Sequence, residues 1–255
     1  MPTSAIYLSL VVPAYNESAT IAATLCSIRQ YLHAQPWAWE VIVSADGNDG
    51  TRERAAEFAA SDPRFGVIGS PRRRGKGHGV RAGILRASGS VVGFLDADYK
   101  TPIDELATLL PAIEQGYDVV IGSRRAAGSQ IEQMQPLFRR AGSRAFGLVV
   151  RRLMGLPEVR DTQCGFKFFT RAAAQTLFSL QRIDGYMFDV EILRLCALLN
   201  LRVKEVGVRW RDDGDSRYDP VWGTLRNVRE LWRIRRMKYQ LPVDIALNDA
   251  KRLAA

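Results

Sequence analysis

Near-continuous apolar runs alternate with helix-like segments through the first half of the chain. Three of these runs are Ala5–Val12, Trp39–Ser44 and Tyr117–Gly122. Runs that are apolar at almost every position are typical of strands buried on both faces, as in a parallel sheet. The segments between them carry apolar residues at helical spacing. This alternation predicts an α/β fold with a mostly parallel central sheet flanked by helices.

A fourth apolar run, Gly89–Asp98, ends in two carboxylates separated by one small residue. If the run is a strand, Asp96 and Asp98 point to the same face and leave its carboxyl end side by side. That edge of an open α/β sheet is where ligands usually bind. Adjacent carboxylates repel unless a cation lies between them, and an oxygen-ligated Mg²⁺ or Mn²⁺ fits. A solvated surface turn is the alternative that this segment alone leaves open.

The balance of charges favours an anionic partner. Lys and Arg number 36 against 27 Asp and Glu, a net charge of +9. Such an excess suits a phosphorylated small molecule, a nucleic acid or a membrane surface. The basic, glycine-rich segment Pro71–Gly79 is predicted to precede a helix over Val80–Ala87, where glycines let the backbone approach an anion. It matches neither a Walker A loop nor a dinucleotide fingerprint, and a solvated basic loop is the alternative.

Several short segments in a fixed order resemble the family 2 GT-A glycosyltransferases. They are Val11–Glu17, Asp49–Thr51, Arg74–Gly77, Asp96–Asp98, Gly122–Arg124 and Arg160–Lys167. Within that family the chain is most similar to the dolichyl-phosphate glucosyltransferases and related polyprenyl-phosphate sugar synthases. Arg160–Lys167 and Phe188–Glu191 are the segments most specific to this branch. The resemblance extends over roughly residues 7–235 and implies a GT-A fold.

The resemblance implies a nucleotide-sugar donor, a divalent Mg²⁺ or Mn²⁺ ion and inversion at the anomeric carbon. Asp96 and Asp98 would hold the metal, which neutralises the leaving diphosphate as a Lewis acid. The turn from Pro13 to Glu17 matches the family's nucleotide-binding segment. The residues expected to contact the donor are Pro13, Tyr15, Asn16, Glu17, Asp46, Lys76, Asp96, Ala97 and Asp98.

Two carboxylates are the catalytic candidates. Asp161 matches the family position proposed as the base or as the carboxylate that orients the nucleophile, and Asp189 lies in the branch-specific Phe188–Glu191 segment. A phosphate monoester acceptor is already ionised near neutral pH and needs little deprotonation. With such an acceptor, Asp161 would instead orient the acceptor or stabilise the oxocarbenium-like sugar. Because guanidinium groups bind phosphate bidentately, three arginines are candidates to hold it: Arg124, Arg139 and Arg217.

The sequence departs from the family pattern at three points. Ser44–Gly47 stands where relatives usually carry Asp-Asp-Gly-Ser, so the base-contacting carboxylate is displaced, with Asp46 as a substitute. Tyr99 and Lys100 follow the aspartate pair where many mannose synthases have Leu-Gln, which argues against a mannose-type site. Relatives that make lipid-linked sugars often carry transmembrane helices, whereas no apolar run of this chain is long enough to span a bilayer.

These observations predict a GT-A catalytic domain over 1–215 and a basic amphipathic helical extension over 216–255. The extension's helix either packs on its own domain or lies on an anionic membrane surface. Since Met1–Ser4 lacks the basic start of a signal peptide, the chain is expected to be cytoplasmic, with peripheral contact at the inner membrane face.

The predicted function is inverting, metal-dependent transfer of a hexose to a polyprenyl or dolichyl phosphate. UDP-glucose is the favoured donor, and a GDP-sugar is the alternative donor. The alternative is the same chemistry on a soluble phosphorylated metabolite or sugar. A nucleotidyltransferase is less favoured because Pro13–Glu17 replaces the glycine-rich signature expected after the first strand. A nucleic-acid binder has no use for Asp96 and Asp98, so no nucleic acid is expected as a partner.

Overall fold

The computed structural model describes residues 5–132, 137–211 and 222–241. In chain order its first elements are β1 (Leu8–Tyr15), α1 (Ile21–His33), β2 (Trp39–Asp46), α2 (Thr51–Ser61), β3 (Phe65–Ile68), α3 (Lys76–Ile84), β4 (Val91–Leu95), a 3₁₀ turn (Ile103–Glu105), α4 (Leu106–Glu114) and β5 (Val119–Ser123). Then follow β6 (Gln130–Ile131), α5 (Leu137–Met154), β7 (Phe166–Thr170), α6 (Arg171–Leu180), α7 (Phe188–Leu198), β8 (Val203–Gly207), β9 (Arg209–Trp210) and α8 (Trp222–Arg236).

A seven-stranded sheet in the order β3-β2-β1-β4-β7-β5-β8 forms the centre of the molecule. β7 runs antiparallel to β4 and β5, and the other neighbours are parallel. The predicted α/β class with a mostly parallel sheet is therefore confirmed. Helices cover both faces, with one apolar cluster around Val11 and Phe94 and a second around Leu10 and Leu95. β1 and β4 are buried at almost every position, and successive side chains contribute to opposite clusters, as expected for strands inside a two-sided sheet.

β1 extends further than its proline suggests. It continues through Pro13 to Tyr15, with Pro13 opposite Ser44 of β2. On its other side β4 pairs with β1 only as far as Val11, so no strand there needs a hydrogen bond from residue 13. The turn predicted to begin at Pro13 therefore begins only after Tyr15.

α3 begins at Lys76, four residues before the start predicted from the sequence, so that its first turn contains Gly77 and Gly79 and its last turn Gly83. These glycines serve close packing. A Cβ at Gly77 would lie 2.5 Å from the carbonyl oxygen of Ile183, and one at Gly83 would lie 2.5 Å from Val11 Cγ1. The prediction that Lys76–Gly79 precede the helix was wrong, because a glycine-rich sequence also suits a helix that packs closely against other backbone.

The segment Val203–Trp210 forms two strands and not one. β8 pairs with β5, whereas β9 leaves the central sheet and pairs with β6. The change of partner occurs at Val208, whose N–H donates to the carbonyl of Ser123. This division brings Trp210 to the edge of the sheet where β4 and β5 end.

α8 packs against the domain through Leu231 and Ile234, which are both buried in the first apolar cluster. Its Glu230 accepts a hydrogen bond from the Met187 N–H, and Arg235 donates to the Leu153 carbonyl. Trp232 on another side is 51% exposed. The predicted boundary at residues 215 and 216 lies outside the described residues, so the division into two domains stays a prediction.

Within the described ranges, no helix combines the length and the apolar character needed to cross a membrane.

The close contact between α3 and β1 gives a test of the fold. Gly83→Ala would press a methyl group against Val11, and overpacking of this kind costs about 1–3 kcal/mol. We expect the free energy of unfolding, measured by urea denaturation, to fall by that amount. Gly142→Ala in α5 is the matched control because, apart from the helix's own backbone, no atom of the described part of the chain lies within 4 Å of the added Cβ. Its stability should be unchanged or slightly higher. Equal effects of the two substitutions would contradict the packing described for α3.

Candidate active site

The carboxyl ends of β1, β2 and β4 meet at one edge of the sheet, as expected for parallel neighbours. Asp96, Ala97 and Asp98 leave β4 in a turn at this edge. The turn is held by the Thr24 hydroxyl, which donates to the Ala97 carbonyl at 2.8 Å, and by the Asp96 N–H, which donates to the Gly165 carbonyl. Gly165 has no alternative here, because a Cβ at that position would collide with the Asp96 carboxylate.

Lys76 at the start of α3 pairs with Asp96. Its Nζ donates to Oδ2 at 2.9 Å and lies 2.7 Å from Oδ1, which is buried and accepts no well-aligned hydrogen bond. Burial alone would lower the pKa of Lys76, but the Asp96 and Asp189 carboxylates hold it above its ordinary value. Lys76 is therefore a permanent cation beside the turn.

Asp98 is the more open of the two carboxylates, with 41% of its side chain exposed and Lys100 Nζ 3.6 Å away. Partial burial and the Asp96 charge raise the pKa of Asp98. Burial is the larger of the two causes, and the Asp96 carboxylate adds to it because a like charge disfavours ionisation. Asp96 and Asp98 therefore lie near each other at the end of β4, as predicted, but in a turn that follows the strand.

The residue types at this turn fit a divalent cation. Carboxylate oxygens are the ligands that Mg²⁺ and Mn²⁺ prefer, and Mg²⁺ is usually held by one or two carboxylates together with substrate phosphates. Among the described residues, no group of three or more His, Cys, Asp or Glu could enclose a metal ion. A cation at Asp96 and Asp98 would therefore need further oxygens from a ligand, as a diphosphate provides.

The other predicted donor-binding residues lie at the ends of β1 and β2. Tyr15, the last residue of β1, is 37% exposed, and the Arg73 guanidinium lies 4.5 Å from its ring centre. Asp46, the last residue of β2, is buried and accepts hydrogen bonds from the N–H groups of Ser70 and Arg74. Asn16 follows β1 with a φ of 54°, and its amide lies against Gly47. The structure therefore brings the predicted donor residues to one edge, and their contacts with a donor stay a prediction.

A cleft of about 260 Å³ opens beside the aspartate turn. Asp96, Asp98 and Arg124 line it together with residues that the sequence reasoning did not assign to a site: Gln163, Cys164, Gly165, Tyr186 and Trp210. Gln163, Cys164 and Gly165 belong to the Arg160–Lys167 motif, which was the signal in the sequence that could have identified them. Burial raises the pKa of the Cys164 thiol to about 12, so this cysteine is neutral near pH 7.

Asp161 forms a two-pronged ion pair with Arg124. The Arg124 Nε and Nη2 atoms donate to its two oxygens at 2.7 and 2.8 Å, and the Arg124 N–H adds a third hydrogen bond. Burial alone would raise the pKa of Asp161, but Arg124 holds it well below the ordinary value. A carboxylate with so low a pKa is a weak base, and its clearest effect is to orient Arg124.

Asp189 does not line the cleft. It is buried at the first turn of α7, where Lys167 Nζ donates to its Oδ1 at 2.6 Å. Burial raises the pKa of Asp189, against the opposing effect of Lys167. The same Nζ donates to the Cys164 carbonyl, so Lys167 joins the floor of the cleft to α7. The catalytic role of Asp189 stays a prediction, and its geometry favours positioning.

The remaining two acceptor arginines cannot be placed. Arg139 belongs to the first turn of α5, but its side chain lies outside the described part of the structure. Arg217 lies outside the described residues altogether.

The model of glycosyl transferase family 2 matches residues 9–178, which include β1, the aspartate turn and β7. The chain belongs to glycosyl transferase family 2. It is therefore a glycosyltransferase, and the nucleotidyltransferase and nucleic-acid alternatives are set aside.

Relatives within family 2 share much of the chain. A dolichyl-phosphate beta-glucosyltransferase of Trichomonas vaginalis is 35% identical over 84% of this chain and 66% of its own length. Another, of Drosophila melanogaster, is 34% identical over 89% of this chain and 74% of its own. The chain thus spans about two thirds to three quarters of the length of these relatives.

Solved structures show the same fold at lower identity. Glucosyl-3-phosphoglycerate synthase from Mycobacterium tuberculosis, crystallised with Mn²⁺, UDP and glucosyl-3-phosphoglycerate, superposes with a TM-score of 0.64 at 22% identity, over 90% of this chain and 78% of that one. Mannosyl-3-phosphoglycerate synthase from Rubrobacter xylanophilus superposes with a TM-score of 0.64 at 17% identity, over 98% of this chain and 76% of that one. The predicted GT-A fold is confirmed.

The Arg124–Asp161 pair gives a test of the site's electrostatics. Asp161→Asn would leave Arg124 without its counter-charge, and breaking a buried pair typically costs about 3–5 kcal/mol. We expect a loss of that order in the free energy of unfolding at pH 7. The control is Asp184→Asn, which breaks the more exposed pair with Arg81 and should cost less than about 1 kcal/mol.

The same pair predicts a pH dependence. Because folding lowers the pKa of Asp161, the pair stabilises the fold fully above the unfolded value of about 4, and this contribution is lost as pH falls toward the folded value. Denaturation from pH 6 to pH 2 should therefore show a steeper loss of stability in the wild type than in Asp161→Asn. Parallel curves would exclude a depressed pKa.

Proposed function

We propose that this chain transfers glucose from UDP-glucose to a polyprenyl phosphate such as dolichyl phosphate, with inversion at the anomeric carbon. The observation that carries the donor chemistry is the Asp96–Asp98 turn beside Lys76, at the ligand-binding edge of a family 2 fold. The acceptor and the sugar rest on the relatives, which are named dolichyl-phosphate beta-glucosyltransferases.

In the proposed reaction, an acceptor phosphate oxygen attacks the anomeric carbon of glucose. The new C–O bond forms as the bond to the diphosphate breaks, and its electron pair leaves with the diphosphate. Asp96 and Asp98 would hold a Mg²⁺ or Mn²⁺ ion, whose charge offsets that of the leaving group. Lys76 keeps its proton and adds a second fixed cation at the same place.

Proton transfer makes little demand on this site. A phosphate monoester acceptor is ionised near neutral pH, so no strong base is needed. This agrees with the low pKa of Asp161, whose carboxylate instead fixes the guanidinium of Arg124 in the cleft wall. We therefore assign Asp161 a positioning role through Arg124.

Exposed apolar and basic residues of α5 and α8 support contact with an anionic membrane. Val149 is 58% exposed and Trp232 is 51% exposed, and Arg236 lies 5.2 Å from the Trp232 ring. Tryptophan and arginine together are typical of helices at a membrane interface. Peripheral attachment at the cytoplasmic face is part of the proposal.

A soluble phosphorylated acceptor is the second candidate, because an arginine-lined wall suits any phosphate monoester. A radiolabelled UDP-glucose assay with Mn²⁺ separates the two. Transfer to farnesyl phosphate or dolichyl phosphate, but not to 3-phosphoglycerate, is the expected result. Transfer to the soluble acceptor alone would overturn the lipid proposal, and transfer to neither would overturn both.

The aspartates give a sharper test of the donor site. We expect Asp98→Asn, which keeps the shape and removes the charge, to lower kcat by at least about 100-fold, the usual size of a lost charge-stabilising group. Asp104→Asn, which breaks a surface ion pair with Arg209, is the control and should keep activity. Both variants should retain the wild-type circular dichroism spectrum. Near-normal turnover of Asp98→Asn would remove the metal from the mechanism.

A further inference from the structure

A second cavity adjoins the cleft and shares Arg124 with it. It has a volume of about 600 Å³, and its other lining residues come from the loop after β5, from α5 and from the segment before Asp161: Arg125, Ser129, Leu148, Arg151 and Arg160. Four of these six lining residues are arginines and none is acidic. We call this space the arginine cavity.

The arginines of the cavity differ in whether their guanidinium groups already pair with a carboxylate. Arg124 is paired with Asp161 through its Nε and Nη2 atoms and forms the wall toward the cleft. Arg151 is only partly exposed, and its Nε is buried without a hydrogen-bond partner. Among the residues that the structure describes, no carboxylate forms an ion pair with Arg151 or Arg160. A guanidinium group that no carboxylate neutralises is available to bind an anionic ligand.

One rim of the cavity is apolar. Leu148 of α5 lines it and is 42% exposed, and the adjacent Val149 is 58% exposed. The volume exceeds what a phosphate group alone would fill, and it lies in the range of small-molecule sites. A ligand with a phosphate head and an apolar continuation would satisfy both parts of the lining.

We propose that the arginine cavity binds the phosphate monoester of the acceptor, with Arg151 and Arg160 as its principal ligands. This inference rests on the proposed function, because only a transferase with a phosphorylated acceptor needs such a site next to the donor cleft. It assigns the acceptor phosphate to residues other than Arg139 and Arg217. Arg124, shared by both cavities, marks where the bound phosphate would meet the sugar.

The phosphate could arrive on a polyprenol or on a small soluble metabolite, and guanidinium groups bind both alike. The exposed Leu148 and Val149 favour the lipid source. The experiment therefore uses farnesyl phosphate, 3-phosphoglycerate and inorganic phosphate as separate probes.

The test compares the wild type with Arg151→Gln/Arg160→Gln and with Arg152→Gln. Arg152 is the matched control because it is the next residue of α5, is exposed and does not line the cavity. Calorimetry measures binding of each probe, and a glucose-transfer assay measures KM for the acceptor, KM for UDP-glucose and kcat. We expect the double variant to bind farnesyl phosphate at least about tenfold more weakly, since each charge-assisted hydrogen bond contributes substantially. Its KM for UDP-glucose should be unchanged, and Arg152→Gln should stay within about twofold of the wild type.

Each outcome decides the proposal. Equal binding of every probe by wild type and double variant, or no binding of any probe by the wild type, overturns it. Weakened binding of 3-phosphoglycerate alone supports the cavity with a soluble source. If the wild type binds farnesyl phosphate through these arginines but transfers glucose to none of the probes, the proposed function fails and the cavity stands as an anion site.

Discussion

The carboxylate of Asp96 is the point on which the arrangement of this site depends. Three parts of the chain that are distant in sequence meet there: the end of β4, the start of α3 through Lys76, and the loop before β7 through Gly165. Lys76 offsets the charge, and the missing side chain of Gly165 leaves room for it.

Ion pairs extend from this point along the wall of the cleft. Lys167 pairs with Asp189 behind its floor, and Arg124 pairs with Asp161 at its side. Pairs of this kind stabilise a fold little, because desolvating the two charges offsets most of their attraction. Their value lies in fixing charged groups before a ligand arrives, which is how a preorganised site lowers a barrier. The depressed pKa of Asp161 is one consequence of this arrangement.

Much of the architecture follows from local pattern. The apolar runs predict β1, β2, β4 and β5, because burial on both faces leaves a strong signal. The early start of α3 was missed because its glycines pack against Ile183 and Val11, contacts that are remote in sequence. Tyr186 and Trp210 were not predicted to line the cleft for the same reason, since contacts remote in sequence bring them there. Trp210 reaches the cleft because β9 pairs with β6, whereas the preceding strand β8 pairs with β5. No local sequence pattern encodes this change of partner. Lys167 did carry a signal, as a lysine inside the apolar strand Phe166–Thr170.

The most direct test of this account is whether the aspartate turn holds a metal ion together with the donor diphosphate. Electron paramagnetic resonance of free Mn²⁺ measures this when UDP is added to the wild type and to Asp98→Asn. The account predicts that UDP causes the wild type to take up one equivalent of Mn²⁺, because two carboxylates alone leave the coordination of the ion incomplete, and that Asp98→Asn takes up far less. Equal uptake by both proteins, or uptake by the wild type that does not depend on UDP, would contradict it.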